Sequence, residues 1–343
     1  MKKLLLSAWK KVELVEAPIP VPGPGEAVVR IKYAGICGSD LHVFDGMHPT
    51  ATVPLVMGHE ACGELYAINS DRTDLKVGDK VCAHTIKPCR ACKACTSGRE
   101  NLCSSVKIMG TNFDGVFTQY LLVDADRVIR FDDGVSDRIA ALVEPLTVAV
   151  HDVRRSGLRP GENVLVAGAG PIGIIIAIMA RFSGAAHVVL TEIDPARIAL
   201  AQETFGFTVV DPTGPDLEKV CAAATGGEGF DRIFEITAVR SSFDTCVSQL
   251  KVGGVLVQVG MPPKGTSFAL NTDKIIYSEC EVRGVRHHTM NDMQAAAELI
   301  NAGVLNEQLA KMVSVIYPME QSREALERAR SDKASLRVLI DFS

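Results

Sequence analysis

Two rhythms of apolar and polar residues divide the chain. Up to about residue 130 the apolar positions come in short runs rich in β-branched and aromatic side chains, "EAVVRIKYAGI", "HEACGELYAI", "VGDKVCAH" and "FTQYLLV". Turn formers in "VPGPGE", "INSDRTD" and "NFDG" punctuate them. This pattern predicts an all-β, barrel-like region. From about residue 136 the rhythm lengthens, and "NVLVAGAGPIGIIIAIMARFSGA" joins an apolar run, a glycine-rich turn and a helical stretch. "HVVLTE", "FTVVD", "FDRIFEIT", "GGVLVQVG" and "CEVRGV" supply five more strands, most of them separated by helix-length pieces such as "DPARIALAQETFG". Strand alternating with helix predicts a parallel, doubly wound sheet. After about residue 287 an Ala-rich helix, "NDMQAAAELINAG", precedes a late strand, "SLRVLIDF".

The turn in "VLVAGAGPIG" places Gly168, Gly170 and Gly173 after a strand and before a helix, as in a G-x-G-x-x-G dinucleotide fingerprint. The glycines permit a tight turn and a close approach of backbone to pyrophosphate, with Pro171 and Ile172 opening the helix whose N-terminus faces the phosphates. Glu192, ending the next strand in "HVVLTEID", can accept hydrogen bonds from the adenosine ribose and repel a 2′-phosphate, which favours NAD over NADP. Asp194 is read as the N-cap of the following helix. Arg197, in its first turn, could stack on adenine or simply be solvated.

Composition narrows the class. The 343 residues are 47% hydrophobic and 22% charged, the make-up of an ordinary globular protein of two-domain size. A net charge of −5 gives no electrostatic reason to expect nucleic acid or an anionic membrane as partner. The start, "MKKLLLSAWKK", has too short an apolar run for an export signal and reads as a first strand, so the expected location is cytoplasmic.

Ten cysteines in such a chain argue for metal or catalysis before disulfides. Cys89, Cys92, Cys95 and Cys103 form C-x2-C-x2-C-x7-C within fifteen residues. Four thiolates so spaced can close a tetrahedral shell around a structural zinc. A thioredoxin-like helix start, a ferredoxin spacing and a basic surround are all missing, which sets aside redox, iron–sulfur and nucleic-acid readings. Cys62, Cys82, Cys221, Cys246 and Cys280 read as buried small hydrophobes. His48, His84, His151 and His187 read as surface or satisfied structural histidines.

A second constellation lies in "GICGSDLH" and "VMGHEACG", which hold Cys37, Ser39, His42, His59 and Glu60. Catalytic zinc takes three protein ligands from Cys, His and carboxylate, but a Cys and a His alone do not prove convergence. Further on, Glu144 stands in the apolar run "AALVEPLTVAVHDV". A lone buried carboxylate is costly unless it is paired or bound to metal. The local alternative is an acid at a helix N-terminus, with Pro145 as the first helical residue.

"GICGSDLH", "GHE", the four-cysteine lobe, "VEPLTVAVH" and "GAGPIG" resemble, in order and spacing, the zinc-dependent medium-chain alcohol dehydrogenases, above all the sorbitol/xylitol (polyol) and L-threonine 3-dehydrogenase branch. The resemblance spans essentially the whole chain. It implies an α/β protein with a β-rich GroES-like catalytic domain over 1–148 and 287–343, carrying the structural zinc lobe 89–103. A Rossmann NAD-binding domain over 149–286 is inserted between them. It further implies two zinc ions per chain, Cys37 and His59 as ligands of the catalytic one, and Glu144 as its third ligand. Glu60 would be a ligand or a group exchanging at the metal. Ser39 would hydrogen-bond the substrate hydroxyl, and His42 would end a proton relay to solvent. The implied activity is NAD-linked oxidation of a secondary alcohol, a polyol, sugar acid or cyclitol, by a homo-oligomer, tetramer or dimer. The alternatives are L-threonine 3-dehydrogenase and a non-catalytic NAD(H)-binding protein. Where polyol enzymes carry an Arg-Tyr pair after "RGVF", this chain has Arg286, His287 and His288, which argues against sorbitol itself.

Overall fold

A computed structural model describes residues 1–343. The chain forms two compact units, Met1–Thr147 with His287–Ser343, and Val148–Arg286.

The first unit is organised by one ten-residue strand, Glu26–Gly35. It pairs antiparallel with Glu60–Asn69 along its length and with Tyr120–Asp124 through its first half. Its last residues pair with the C-terminal strand Arg337–Asp341, in the register Tyr33↔Asp341 to Gly35↔Leu339. That pairing is why the tail belongs to this unit. The tail strands Val313–Pro318 and Arg337–Asp341 run parallel with a helix, Ser322–Ser331, between them, the connection that a parallel pair requires. The main sheet is an open path ending at Val128–Arg130 and Val313–Pro318, so the barrel-like region is an open sheet. The leading segment forms a strand, Lys2–Ala8, in a separate three-stranded sheet. Leu4 and Leu6 from that strand join Val29, Ile31, Leu65 and Phe117 in one core. Phe117 is fully buried, and truncating such a ring to Ala costs roughly 3–5 kcal/mol.

The second unit is a six-stranded parallel sheet, ordered Thr208–Val210, His187–Thr191, Asn163–Ala167, Phe230–Glu235, Leu250–Gln258, Glu281–Gly284. Helices cover its faces, so inner strands such as "NVLVA" are continuous apolar runs rather than alternating ones. The strand order reverses between Asn163–Ala167 and Phe230–Glu235, the switch point beyond which such sheets bind ligands. The helix Pro171–Phe182 starts on Gly170 with Pro171 at its first position. Asp194 caps Pro195–Phe205, accepting from the N–H groups of Ala196 and Arg197, as the sequence predicts.

Val143–Ser156 is the helix carrying Glu144. It starts at Val143, so Pro145 is its third residue and not its first. The missing N–H costs nothing there, because the first four amides of a helix have no intrahelical partner. No helix is long and apolar enough to cross a membrane.

Candidate active site

Cys37 is the N-cap of the helix Gly38–Phe44, where Asp40 closes a capping box by accepting the Cys37 N–H at 2.9 Å. The other oxygen of Asp40 lies 3.2 Å from Nδ1 of His59. One buried carboxylate thus fixes the backbone of Cys37 and the ring of His59, from separate elements. With Nδ1–H donating to Asp40, His59 keeps the Nε2 lone pair available for a metal. The ligand atoms of Cys37, His59 and Glu60 lie within 4.8 Å of one another. Burial pulls the His59 pKa down, but the charge and hydrogen bond of Asp40 outweigh it and hold the imidazole well above its ordinary value. Metal binding there therefore releases a proton.

Glu60 is fully buried, and its Oε1 accepts from Nη1 of the equally buried Arg337 at 2.8 Å. Its Oε2 is buried without a protein partner. Gly35 makes room for that oxygen, since a Cβ at Gly35 would fall 2.6 Å from it. Burial raises the Glu60 carboxyl and Arg337 opposes the rise. A thiol, an imidazole and an orphaned carboxylate oxygen in a glycine-lined cradle fit a divalent zinc of the catalytic type.

Glu144 stands outside the 4.8 Å trio but beside it, close enough for its charge to act on Glu60. Its buried carboxylate accepts from Nε2 of His288 at 3.2 Å. Burial alone would raise its pKa, but the His288 hydrogen bond and the charges of His59 and Arg337 hold it below the usual range. Of Arg286, His287 and His288, it is His288 that lies against Glu144. His84 also stands behind this pair, its Nε2 being 3.2 Å from Nδ1 of His288. Ser39 is half-buried in the first turn of its helix, and His42 lies exposed three residues on, along the same face.

The four cysteines converge, with all sulfurs within 4.8 Å of one another. Cys92 and Cys95 are 3.4 Å apart, and Cys89 and Cys95 are 3.9 Å apart. A tetrahedron of Zn–S bonds near 2.3 Å requires S···S distances of about 3.8 Å, which these spacings match. Hydrogen bonds from the backbone at Ala91 and Cys92 bring the Cys89 thiol down to about 6, favouring the thiolate. No disulfide forms anywhere in the chain.

In the second unit a cleft of about 470 Å³ is lined by Gly168, Gly170, Glu192, Ile193, Arg197 and Thr237. The helix packs hard against the turn at Gly173, because a Cβ there would fall 1.8 Å from the Gly168 carbonyl oxygen. Glu192 is buried, its Oε1 accepting from the N–H groups of Ile193 and Asp194 and its Oε2 from that of Ala169. Oε2 therefore keeps one lone pair for a ligand. Arg197 lies along the same edge, with Nη1 3.8 Å from that oxygen.

Four residues in these sites escape the sequence reading. Asp40 carries a detectable signal, the three-residue capping-box spacing from Cys37. Arg337 interrupts an apolar strand just as Glu144 interrupts an apolar helix, and the same cost of burying a charge marks both. His84 has no local signal. Glu235, fully buried at the end of a central strand, accepts from the N–H groups of Thr237 and Ala238, Ser242 Oγ and Gln258 Nε2, and so fixes the turn beside the cleft.

Known proteins share both units. Residues 23–133 match the alcohol dehydrogenase GroES-like domain, and residues 171–302 match the zinc-binding dehydrogenase domain. L-galactonate-5-dehydrogenase of Escherichia coli K12 is 33% identical over 96% of this chain and 95% of its own. L-threonine 3-dehydrogenase of Shewanella baltica OS155 is 32% identical over 96% of this chain and 97% of its own. A Sinorhizobium meliloti 1021 protein assigned as a zinc-binding dehydrogenase and bound to NADP superposes with a TM-score of 0.92, at 27% identity, covering 99% of this chain and 98% of that one. With a GroES-like domain, a Rossmann cofactor domain and two ligand clusters of the chemistry zinc requires, the chain belongs to the zinc-dependent medium-chain dehydrogenases.

Proposed function

We propose that this dehydrogenase oxidises a secondary alcohol of the polyol, sugar-acid or cyclitol class with NAD. The observation that carries the reading is the convergence of Cys37, His59 and Glu60 on one point, with Asp40 and Arg337 holding them. These three residues would hold the catalytic zinc, and Glu144 is the second carboxylate of the site. The four-cysteine lobe would hold a structural zinc. Bound at the catalytic position, zinc supplies the Lewis acidity that makes an alcohol ionisable near neutral pH.

The chain's own residues do the rest. Ser39 takes the proton of the substrate hydroxyl, and His42, exposed on the same helix face, passes it to solvent. Gly168, Gly170, Pro171, Ile172 and Gly173 shape the turn that receives the pyrophosphate at a helix N-terminus. Glu192 receives the adenosine ribose on its remaining lone pair and Arg197 flanks the adenine, which supports NAD over NADP. Ten thiols without a disulfide are in keeping with a reducing cytoplasm. The family resemblance supports a homo-oligomer, dimer or tetramer.

Galactonate in the name of one relative supports sugar acids, while L-threonine in the name of another, at nearly equal identity, supports a second reading. A panel of aldonates, polyols, cyclitols and L-threonine, followed by NADH absorbance, separates the two. Turnover of a sugar acid or polyol is expected. Turnover of L-threonine alone would establish the second reading, and none with any secondary alcohol would leave a binding protein.

A further inference from the structure

Glu144, His288 and His84 form a buried chain of hydrogen bonds in the first unit. His288 Nε2 is 3.2 Å from Glu144 Oε1, and His288 Nδ1 is 3.2 Å from His84 Nε2. Each histidine is 2% exposed. The carboxylate at one end sets the order of donors along the chain. An ionised carboxylate only accepts, so His288 Nε2 must carry the hydrogen. In the Nε2–H tautomer of His288, Nδ1 accepts, and His84 donates to it from Nε2. Burial holds the His84 imidazole well below its ordinary pKa, which keeps it neutral and able to act as a single-direction donor.

Backbone hydrogen bonds fix the segments that carry both histidines. The His84 N–H donates to the Arg127 carbonyl at 2.9 Å. His288 is followed by Thr289, the N-cap of the helix Met290–Asn301, and Thr289 and Asp292 form a capping box. The Met290 N–H donates at 2.8 Å to Glu100, a residue of the four-cysteine lobe. Two imidazoles against a carboxylate in a protein interior cost more than an apolar filler unless every partner is met. The arrangement supplies a donor to one oxygen of Glu144, Oε1.

The geometry points to His288 as the positioning residue of Glu144, holding Oε1 so that Oε2 is offered to the metal, with His84 fixing the tautomer that makes this donation. This rests on the proposed zinc site. His288 touches neither substrate nor cofactor in this account and acts only through Glu144.

The test compares zinc retention against a chelator series with kcat and KM, in the full chain. His288→Phe keeps a ring and loses the donor. It should weaken the catalytic zinc about 10–100-fold, the usual effect of losing a ligand's hydrogen-bond partner, lower kcat more than it raises KM, and spare the four-cysteine zinc. Glu144→Gln should weaken the same zinc, and the double variant should be no worse than Glu144→Gln alone, as for two residues acting as one unit. His288→Gln, whose amide reaches the place of Nε2, should restore retention, whereas His288→Asn, which reaches only the place of Nδ1, should not. Wild-type retention in His288→Phe, additive losses in the double variant, or equal behaviour of the Gln and Asn variants would each overturn the inference. If His288→Phe also loses the four-cysteine zinc, it has failed to fold and the Gln–Asn comparison decides. A wild-type protein that binds zinc only at the four cysteines would instead overturn the proposed catalytic site, and this inference with it.

Discussion

Gly173→Ala is the sharpest perturbation of the cofactor unit. The added Cβ would lie 1.8 Å from the Gly168 carbonyl oxygen, whereas Cβ contacts under 3.0 Å are essentially never seen. The helix Pro171–Phe182 would have to retreat by about 1.2 Å from the turn, the difference between 3.0 and 1.8 Å. Its buried face, Ile174, Ile175, Ile176 and Ala177, leaves no slack for that movement. Overpacking of this kind costs about 1–3 kcal/mol. The displaced amides are those that would meet the pyrophosphate, so NADH affinity should fall about tenfold or more, tenfold corresponding to 1.4 kcal/mol. Fluorescence titration with NADH measures the first effect, and thermal unfolding the second. Gly134→Ala is the control, because a Cβ there meets nothing within 4 Å. Wild-type NADH affinity in Gly173→Ala, or equal damage in the control, would refute the steric argument.

Other outcomes follow from the buried charges. Arg337→Met removes the cation 2.8 Å from fully buried Glu60 and should cost about 3–5 kcal/mol in chemical denaturation; a loss below about 1 kcal/mol would show that the pair is not needed. His84 titrates well below the ordinary value of 6.5 in the folded chain, so below about pH 6.5 the unfolded chain binds a proton that the native chain refuses. Stability should fall with falling pH in this window by up to about 1.4 kcal/mol per pH unit. His84→Gln should lose that slope, and parallel pH profiles for the two proteins would count against it. Glu192→Ala should raise the NADP-to-NAD ratio of kcat/KM by about 10-fold or more, the worth of a charged hydrogen bond. An unchanged ratio would mean that Glu192 serves only the N–H groups of Ala169, Ile193 and Asp194.

The Rossmann unit is legible because its strands are short apolar runs set off by Gly-rich or capped helix starts, and those signals are local. Gly168, Gly170, Gly173 and Asp194 take the turn and cap positions their spacing suggests. The four-cysteine lobe is legible for the same reason, since all four ligands sit on one short loop. The strand order of the first unit is less legible, because it depends on pairings between distant segments, such as Gly35 with Leu339. Partner choice at the active site is equally non-local. A buried carboxylate announces that it needs a cation or a metal, but not which one. Arg337 lies 277 residues from Glu60, and His288 lies 144 from Glu144. Pro145 was misplaced by two residues because a preceding short helix, Asp137–Ala140, carries the chain into helical conformation early.

In the proposed function, alcohol oxidation depends on a metal held by Cys37, His59 and Glu60. Its most direct test is to strip the protein with a chelator, restore zinc, and follow NADH formation from the best substrate of the panel at each stage. The account predicts about two zincs per chain at the start, loss of turnover when the catalytic zinc leaves, and recovery when zinc returns. Turnover that persists after both metals are gone would contradict it.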